Sequence, residues 1–128
     1  MENEVFDVLV AEDDNQISYL LNFMLTRENF TVKVANDGQE AMDAINELAK
    51  PKLILLDLMM PYYNGFQLID HIRNKLNWSD VPILVLTAKS QESDIVKALE
   101  AGANDYIVKP FQPGELITRL KMQMKRAA

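Results

Sequence analysis

With 128 residues, 48% of them hydrophobic and 25% charged, the chain can bury one core of ordinary domain size, and its five prolines and four glycines fall singly, without a linker or low-complexity tract. The absence of cysteine excludes disulfides and thiolate chemistry, no apolar run approaches the ~20 residues of a membrane span, and Met1-Glu2-Asn3-Glu4 lacks the layout of a signal peptide. A formal charge of −6 disfavours nucleic-acid binding through phosphate neutralisation and makes a cation the more natural partner, so the expectation is one cytoplasmic domain over residues 1–128, bound neither to membrane nor directly to nucleic acid.

In chain order, strand and helix patterns alternate five times. Phe6 to Ala11 reads as an apolar strand that ends at Glu12-Asp13-Asp14, and Ile17, Leu20, Leu21, Met24 and Leu25 then recur at helical spacing, with Asp14 or Asn15 as cap. Phe30 to Ala35 predicts a second strand, in an edge position because Thr31 and Lys33 alternate with apolar residues. Asp37 with Glu40 has the form of a capping box for a helix carrying Met42, Ile45 and Leu48, which Pro51 stops. Leu53 to Leu56 is a short, wholly apolar run that enters Asp57 and is terminated by Pro61, the pattern of a strand buried on both faces of a parallel sheet. A third helix with Phe66, Ile69 and Ile72 runs to about Lys75, and Trp78 follows as a packing residue. Val81 to Leu86 predicts the fourth strand, ending at Thr87-Ala88, followed by a helix on Ile95, Val96 and Leu99. Asp105 to Val108 predicts a short fifth strand before Lys109-Pro110, and the last helix uses Leu116, Ile117, Leu120 and Met124.

Such alternation implies right-handed crossovers and helices on both faces of one sheet. Strands one, three and four read as buried and two and five as edges, which fits a single doubly wound α/β domain: a flavodoxin-like five-stranded parallel sheet of order 2-1-3-4-5 with five helices. Its switch point lies between the first and third strands, where Glu12 and Asp13 would face Asp57, with Thr87 beside it and Lys109 beyond. Crowded carboxylates repel unless a divalent cation or a proton relieves them, and an oxygen-rich cluster without cysteine or histidine suits Mg²⁺, with Mn²⁺ as an alternative. A dianionic phosphoryl group then becomes the logical guest, with a hydroxyl from Thr87, an ammonium from Lys109, and Asp57 left to attack phosphorus.

Four motifs together carry a resemblance over essentially the whole chain. Leu9-Val10-Ala11-Glu12-Asp13-Asp14, Leu56-Asp57-Leu58-Met59-Met60-Pro61 with Gly65, Leu86-Thr87-Ala88, and Asp105-Tyr106-Ile107-Val108-Lys109-Pro110-Phe111 resemble, in order and spacing, the acidic, phosphoacceptor, switch and lysine motifs of two-component response-regulator receiver domains. The resemblance implies that Asp57 accepts phosphate from a sensor histidine kinase or phosphotransfer protein. It also implies that Asp13, Asp57 and the Met59 backbone carbonyl hold Mg²⁺, with Glu12 assisting through water. Further implications are phosphoryl contacts from Thr87, the Ala88 backbone and Lys109, a cis peptide between Lys109 and Pro110, a switch formed by Thr87 and Tyr106, and tuning of phosphate lifetime by Met59 and Lys89. Output would pass through the face of the fourth helix, fifth strand and fifth helix to an effector domain or protein, and through a phosphorylation-dependent homodimer in which Asp105 with Arg119 and Glu100 with Lys121 fall at cross-dimer positions. The chain departs from the pattern at Tyr62-Tyr63, where the family has a small then an aliphatic residue, and at Ile95, where the dimerising branch has a base.

Other residues read as structural. His71, the only histidine, lies on the polar side of its helix with solvent as partner; Met24, Met42 and Met124 fall on core stripes, and Met122 alone looks outward. A Mg²⁺-dependent phosphohydrolase with an aspartate nucleophile needs a second aspartate two positions on, where Met59 stands, so slow hydrolysis of the chain's own aspartyl phosphate is the only turnover expected. Isolated glycines build no phosphate-cradling loop, which disfavours a nucleotide-binding module.

Overall fold

The computed structural model describes residues 5–88 and 92–127. Five parallel strands, β1 (Val8–Ala11), β2 (Val32–Ala35), β3 (Leu53–Asp57), β4 (Ile83–Ala88) and β5 (Asp105–Lys109), form one sheet of order β2-β1-β3-β4-β5. The helices are α1 (Asn15–Arg27), α2 (Gly38–Glu47), α3 (Gly65–Asp70), α4 (Glu92–Ala101) and α5 (Pro113–Ala127). This is the doubly wound fold expected, with β2 and β5 at the edges.

The apolar run of β3 explains why helices cover both faces. Successive side chains of a strand point to opposite sides, so Ile54 and Leu56 join Leu9, Ala11, Ile83 and Val85 in one core, while Leu53 and Leu55 join Val8, Val10, Leu84 and Leu86 in the other. The first core is closed by Ala41 and Ile45 of α2 and Leu68 and Ile69 of α3, the second by Leu21 and Leu25 of α1 and Leu116 and Leu120 of α5. Trp78 packs against the first core, as its place in the chain suggests.

Element boundaries differ from the sequence reading for identifiable reasons. β1 and β2 begin later because Asp7 and Thr31 bind each other through side chains: Asp7 N–H donates to Thr31 Oγ1 at 2.8 Å, and Thr31 N–H to Asp7 Oδ2 at 2.9 Å. β4 starts after Pro82, which has no N–H to offer a ladder, and extends through Thr87 and Ala88 because β5 pairs that far, Thr87 with Val108 and Ala88 with Lys109. α3 does not run regularly to Lys75; it passes into a π-helical turn, His71–Lys75, closed by Leu76 N–H on the His71 carbonyl at 3.0 Å.

Four side-chain readings are corrected. His71 is half-buried, its Nε2 at 2.7 Å from Asn46 Oδ1 of α2, because the helix packs beside α2 rather than facing open solvent. Leu20 is exposed although its spacing matches the α1 stripe. On α4, Val96 and Leu99 are 50% and 39% exposed and Ala98 is the buried residue, so the helix approaches on a small side chain, one position off the expected stripe. Met122 is exposed as expected, but Met59 is more so, at 67%, since the loop after β3 turns it away from the core. The Asp37–Glu40 signal is also modified: Asp37 accepts from Glu40 N–H at 2.8 Å, but Glu40 reaches past the cap to Asn36 N–H at 2.9 Å. A complete capping box instead starts α3, between Asn64 and Gln67.

Candidate phosphoryl and metal site

The parallel register brings the carboxyl ends of β1, β3 and β5 to one edge. Ala11 pairs with Leu56, so the residues that follow on β1, Glu12 and Asp13, emerge beside Asp57. One carboxylate oxygen from each of Glu12, Asp13 and Asp57 lies within 4.8 Å of the others. Asp14, one residue further on, is diverted to structure: Oδ1 accepts Gln16 N–H at 2.9 Å and Ile17 N–H at 3.2 Å, capping α1.

The three acids are held unequally. Asp13 is exposed, Asp57 is buried, and Glu12 is 0% exposed. Glu12 Oε2 accepts Asp14 N–H at 3.1 Å. Its Oε1 lies 2.7 Å from Lys109 Nζ but outside hydrogen-bonding geometry, leaving that buried oxygen charge-compensated yet without a hydrogen-bond donor among the described residues. Asp57 Oδ1 accepts Met59 N–H at 3.3 Å, and Oδ2 stands 3.3 Å from the same Lys109 Nζ. One ammonium thus serves two buried carboxylates.

The electrostatics follow from burial and crowding. Burial, helped by the charge of Asp57 and opposed by Lys109, pushes the Glu12 carboxyl up to about 7. Burial likewise raises Asp57, against the pull of Lys109. Burial disfavours the Lys109 ammonium, but Glu12 and Asp57 outweigh it and raise Lys109 above its ordinary value. These acids need a further positive charge to ionise together. An all-oxygen donor set whose two buried carboxylates share a single ammonium fits a hard divalent cation such as Mg²⁺.

The loop after Asp57 is fixed by close backbone approaches. Gly65 N–H donates to the Leu58 carbonyl at 2.8 Å, and a Cβ on Gly65 would lie 2.7 Å from Leu58 Cα. Gly38, opening α2, donates to the Pro61 carbonyl at 3.1 Å, where a Cβ would lie 1.9 Å from the Tyr63 carbonyl oxygen. Composition shows turn residues there but not this bracing of α2 against the loop. Tyr62 has φ of 73°, the left-handed region, and is exposed beside the site, while Tyr63 packs on the core.

Thr87 is buried at the end of β4, its Oγ1 3.5 Å from the Ala88 carbonyl, too long for a strong bond. Ala88 is exposed; Lys89 lies outside the described residues. The Lys109–Pro110 peptide is cis. Tyr106 is half-buried on β5, with the Arg119 guanidinium 5.9 Å from its ring centre. Arg119 Nη1 bonds both oxygens of Asp105, at 3.0 and 3.1 Å, and Lys121 pairs with Glu28 at 2.6 Å, so three of the four residues assigned to cross-dimer contacts are engaged within the chain.

A five-stranded doubly wound sheet with three carboxylates, a lysine and a buried threonine at its carboxyl edge defines a class: α/β proteins with an acidic switch-point crevice that could hold a cation. The family described as response regulator receiver domain matches residues 8–121, and the chain belongs to that family, whose members act in two-component signalling. Among curated proteins it is 43% identical over 119 residues to the DNA-binding response regulator MtrA of Mycolicibacterium paratuberculosis, covering 93% of this chain and 51% of that protein. It is 42% identical over 119 residues to the phosphate regulon transcriptional regulatory protein PhoB of Escherichia coli, covering 93% and 52%. The chain therefore spans about half the length of these relatives. Among solved structures, the Francisella response regulator 1452 receiver domain superposes with a TM-score of 0.87 at 34% identity, covering 96% of this chain and 99% of that one. Chemotaxis response regulator CheY4 of Vibrio cholerae gives 0.85 at 28% identity, covering 94% and 99%. Among the described residues no helix is long and apolar enough to cross a membrane.

Proposed function

We propose that residues 1–128 act as a single, phosphorylation-dependent receiver in which Asp57 accepts a phosphoryl group from a sensor histidine kinase or phosphotransfer protein. The observation that carries this reading is the juxtaposition of Glu12, Asp13 and Asp57 within 4.8 Å with Lys109 3.3 Å from Asp57. Carboxylates from Asp13 and Asp57, with the Met59 carbonyl and Glu12 in support, would hold Mg²⁺, or Mn²⁺ in its place. When bound, the cation supplies charge neutralisation to the incoming phosphoryl oxygens.

A carboxylate oxygen of Asp57 forms a bond to phosphorus as the bond from phosphorus to the donor nitrogen breaks, and the imidazole leaves with the electron pair. Lys109, released from one of its two carboxylate partners, meets the new negative charge, and the Thr87 hydroxyl and Ala88 N–H offer hydrogen bonds to it. The chain is a switch rather than an enzyme, with slow hydrolysis of its own aspartyl phosphate tuned by Met59 and Lys89. The setting is cytoplasmic, where the phosphodonors act. Readout runs through Thr87 and Tyr106 to the α4, β5 and α5 surface, to an effector domain or protein. A phosphorylated homodimer on this face would exchange the internal Asp105–Arg119 and Glu28–Lys121 pairs for cross-chain ones.

Intact-mass and peptide spectrometry after incubation with acetyl phosphate and MgCl₂ tests the assignment. One phosphoryl group is expected on Asp57, lost in Asp57→Asn and on chelation of the cation. A label on serine or threonine, or full labelling of Asp57→Asn, refutes it.

A further inference from the structure

At the opposite edge of the sheet from Asp57 lies a solvent-open concavity of about 620 Å³, within the range of small-molecule sites. Its floor is apolar: Pro51 and Val81 are buried, and Phe30 and Met124 are half-buried against the second core. Its rim is basic. Lys50, Lys52, Lys121 and Lys125 line it against a single lining acid, Asp80, so four of the thirteen basic residues of a chain of net charge −6 converge on one concavity. Lys50 is held by Asp80 at 3.0 Å, Lys52 by Asp7 at 3.4 Å and Lys121 by Glu28 at 2.6 Å. Lys125 has no acidic partner within ion-pair distance among the described residues, and it lies one helical turn beyond Lys121 on the same face of α5. A solvated cluster of lysines needs no apolar floor, and a packing defect needs no basic rim; here both occur at one place.

We propose that this cavity is a second ligand site, taking a small amphipathic anion whose aromatic or aliphatic body rests on Phe30, Pro51, Val81 and Met124 and whose acidic head is held by Lys121 and Lys125. The charge complement selects an anion over a neutral or cationic molecule. The apolar floor selects a body of one or two rings over a free phosphate, which would leave that surface uncovered. The site shares no residue with the phosphoryl site and stands whether or not Asp57 is phosphorylated.

The probe is 8-anilinonaphthalene-1-sulfonate, titrated into the full chain and followed by its fluorescence and by amide shifts. Saturable one-to-one binding is expected, with shifts at Phe30, Val81, Lys121 and Met124. N-phenyl-1-naphthylamine, a comparable body without the sulfonate, should bind at least about ten-fold more weakly, the ~1.4 kcal/mol of one lost charge contact. Lys125→Ala breaks no ion pair among the described residues and should weaken the sulfonate about two- to five-fold, the span of ~0.4–1 kcal/mol. Lys121→Glu with Lys125→Glu should abolish saturable binding while the amide spectrum stays dispersed. Equal affinity for the neutral probe, unchanged affinity in Lys125→Ala, shifts centred on the exposed Tyr19 and Phe23 of α1, or absence of saturable binding would each overturn the proposal.

Discussion

At the carboxyl edge of the sheet Glu12 and Asp57 are buried and share one half-buried ammonium, whereas at the amino edge Lys50 with Asp80 and Lys52 with Asp7 pair in exposed or partly exposed positions. An exposed pair contributes roughly 0–1 kcal/mol, so the amino edge can be rearranged at little cost. Buried charges carry a desolvation penalty that attraction only partly returns, so the carboxyl edge stores instability that a bound cation can relieve. The contrast teaches where a fold can hold function: both edges hang on the same β3, whose apolar centre supplies the stability that the acidic edge gives up.

The most severe way to break the comparison is to attack that shared centre. Leu55→Ala empties a fully buried position in the second core and should cost ~2–5 kcal/mol in urea unfolding, lowering both edges together. A loss under 1 kcal/mol would mean that the strand is not the common support. Next in size, Gly38→Ala drives a Cβ into the Tyr63 carbonyl and should cost ~1–3 kcal/mol, by analogy with overpacked sites. Gly114→Ala, which meets nothing within 4 Å in α5, should instead be neutral or stabilise by up to ~1 kcal/mol. The same sign for both would remove the bracing of the loop after Asp57 by α2.

A pH series sharpens the electrostatic half of the contrast. Glu12 is raised from 4.5 to about 7 and Asp57 is raised from 3.8, so the folded state binds protons more tightly than the unfolded chain. In the absence of Mg²⁺, stability should therefore rise as pH falls from about 7 toward 4.5, and saturating Mg²⁺ should flatten that rise because proton and cation compete for the same oxygens. A stability that falls steadily over this window without Mg²⁺ would contradict the buried, mutually repelling carboxylates. The smallest effect is expected at the other edge: Lys50→Ala should change stability by less than ~1 kcal/mol, and the change should shrink further in high salt.

Much of this was legible beforehand because the signals are local. Four apolar residues before Asp57, ended abruptly by Pro61, read as a strand covered on both faces, and that strand lies at the centre of the sheet. The positions Glu12, Asp13, Asp57, Thr87 and Lys109 follow from where each strand pattern stops. Less legible was the division of labour among adjacent acids. Glu12, Asp13 and Asp14 are alike in sequence, yet one is buried, one exposed and one spent on capping α1, and that choice depends on where β5 brings Lys109. The stripe of α4 misled for a related reason: Ala98 carries almost no hydrophobic signal, but its small size lets the helix lie close.

The sequence by itself determined the alternation of elements, the burial of β1, β3 and β4, the edge roles of β2 and β5, and the set of oxygen-bearing residues at one edge, because periodicity and strand ends are written within a few neighbouring positions. Only the tertiary structure decided which carboxylate lost its solvent, that one lysine serves two of them, that Gly38 braces the loop after Asp57, that α3 ends in a π-turn, and that four lysines meet over an apolar floor. Each of these is set by register and packing between segments distant in the chain, where desolvation and contact geometry, not local pattern, choose among equivalent residues.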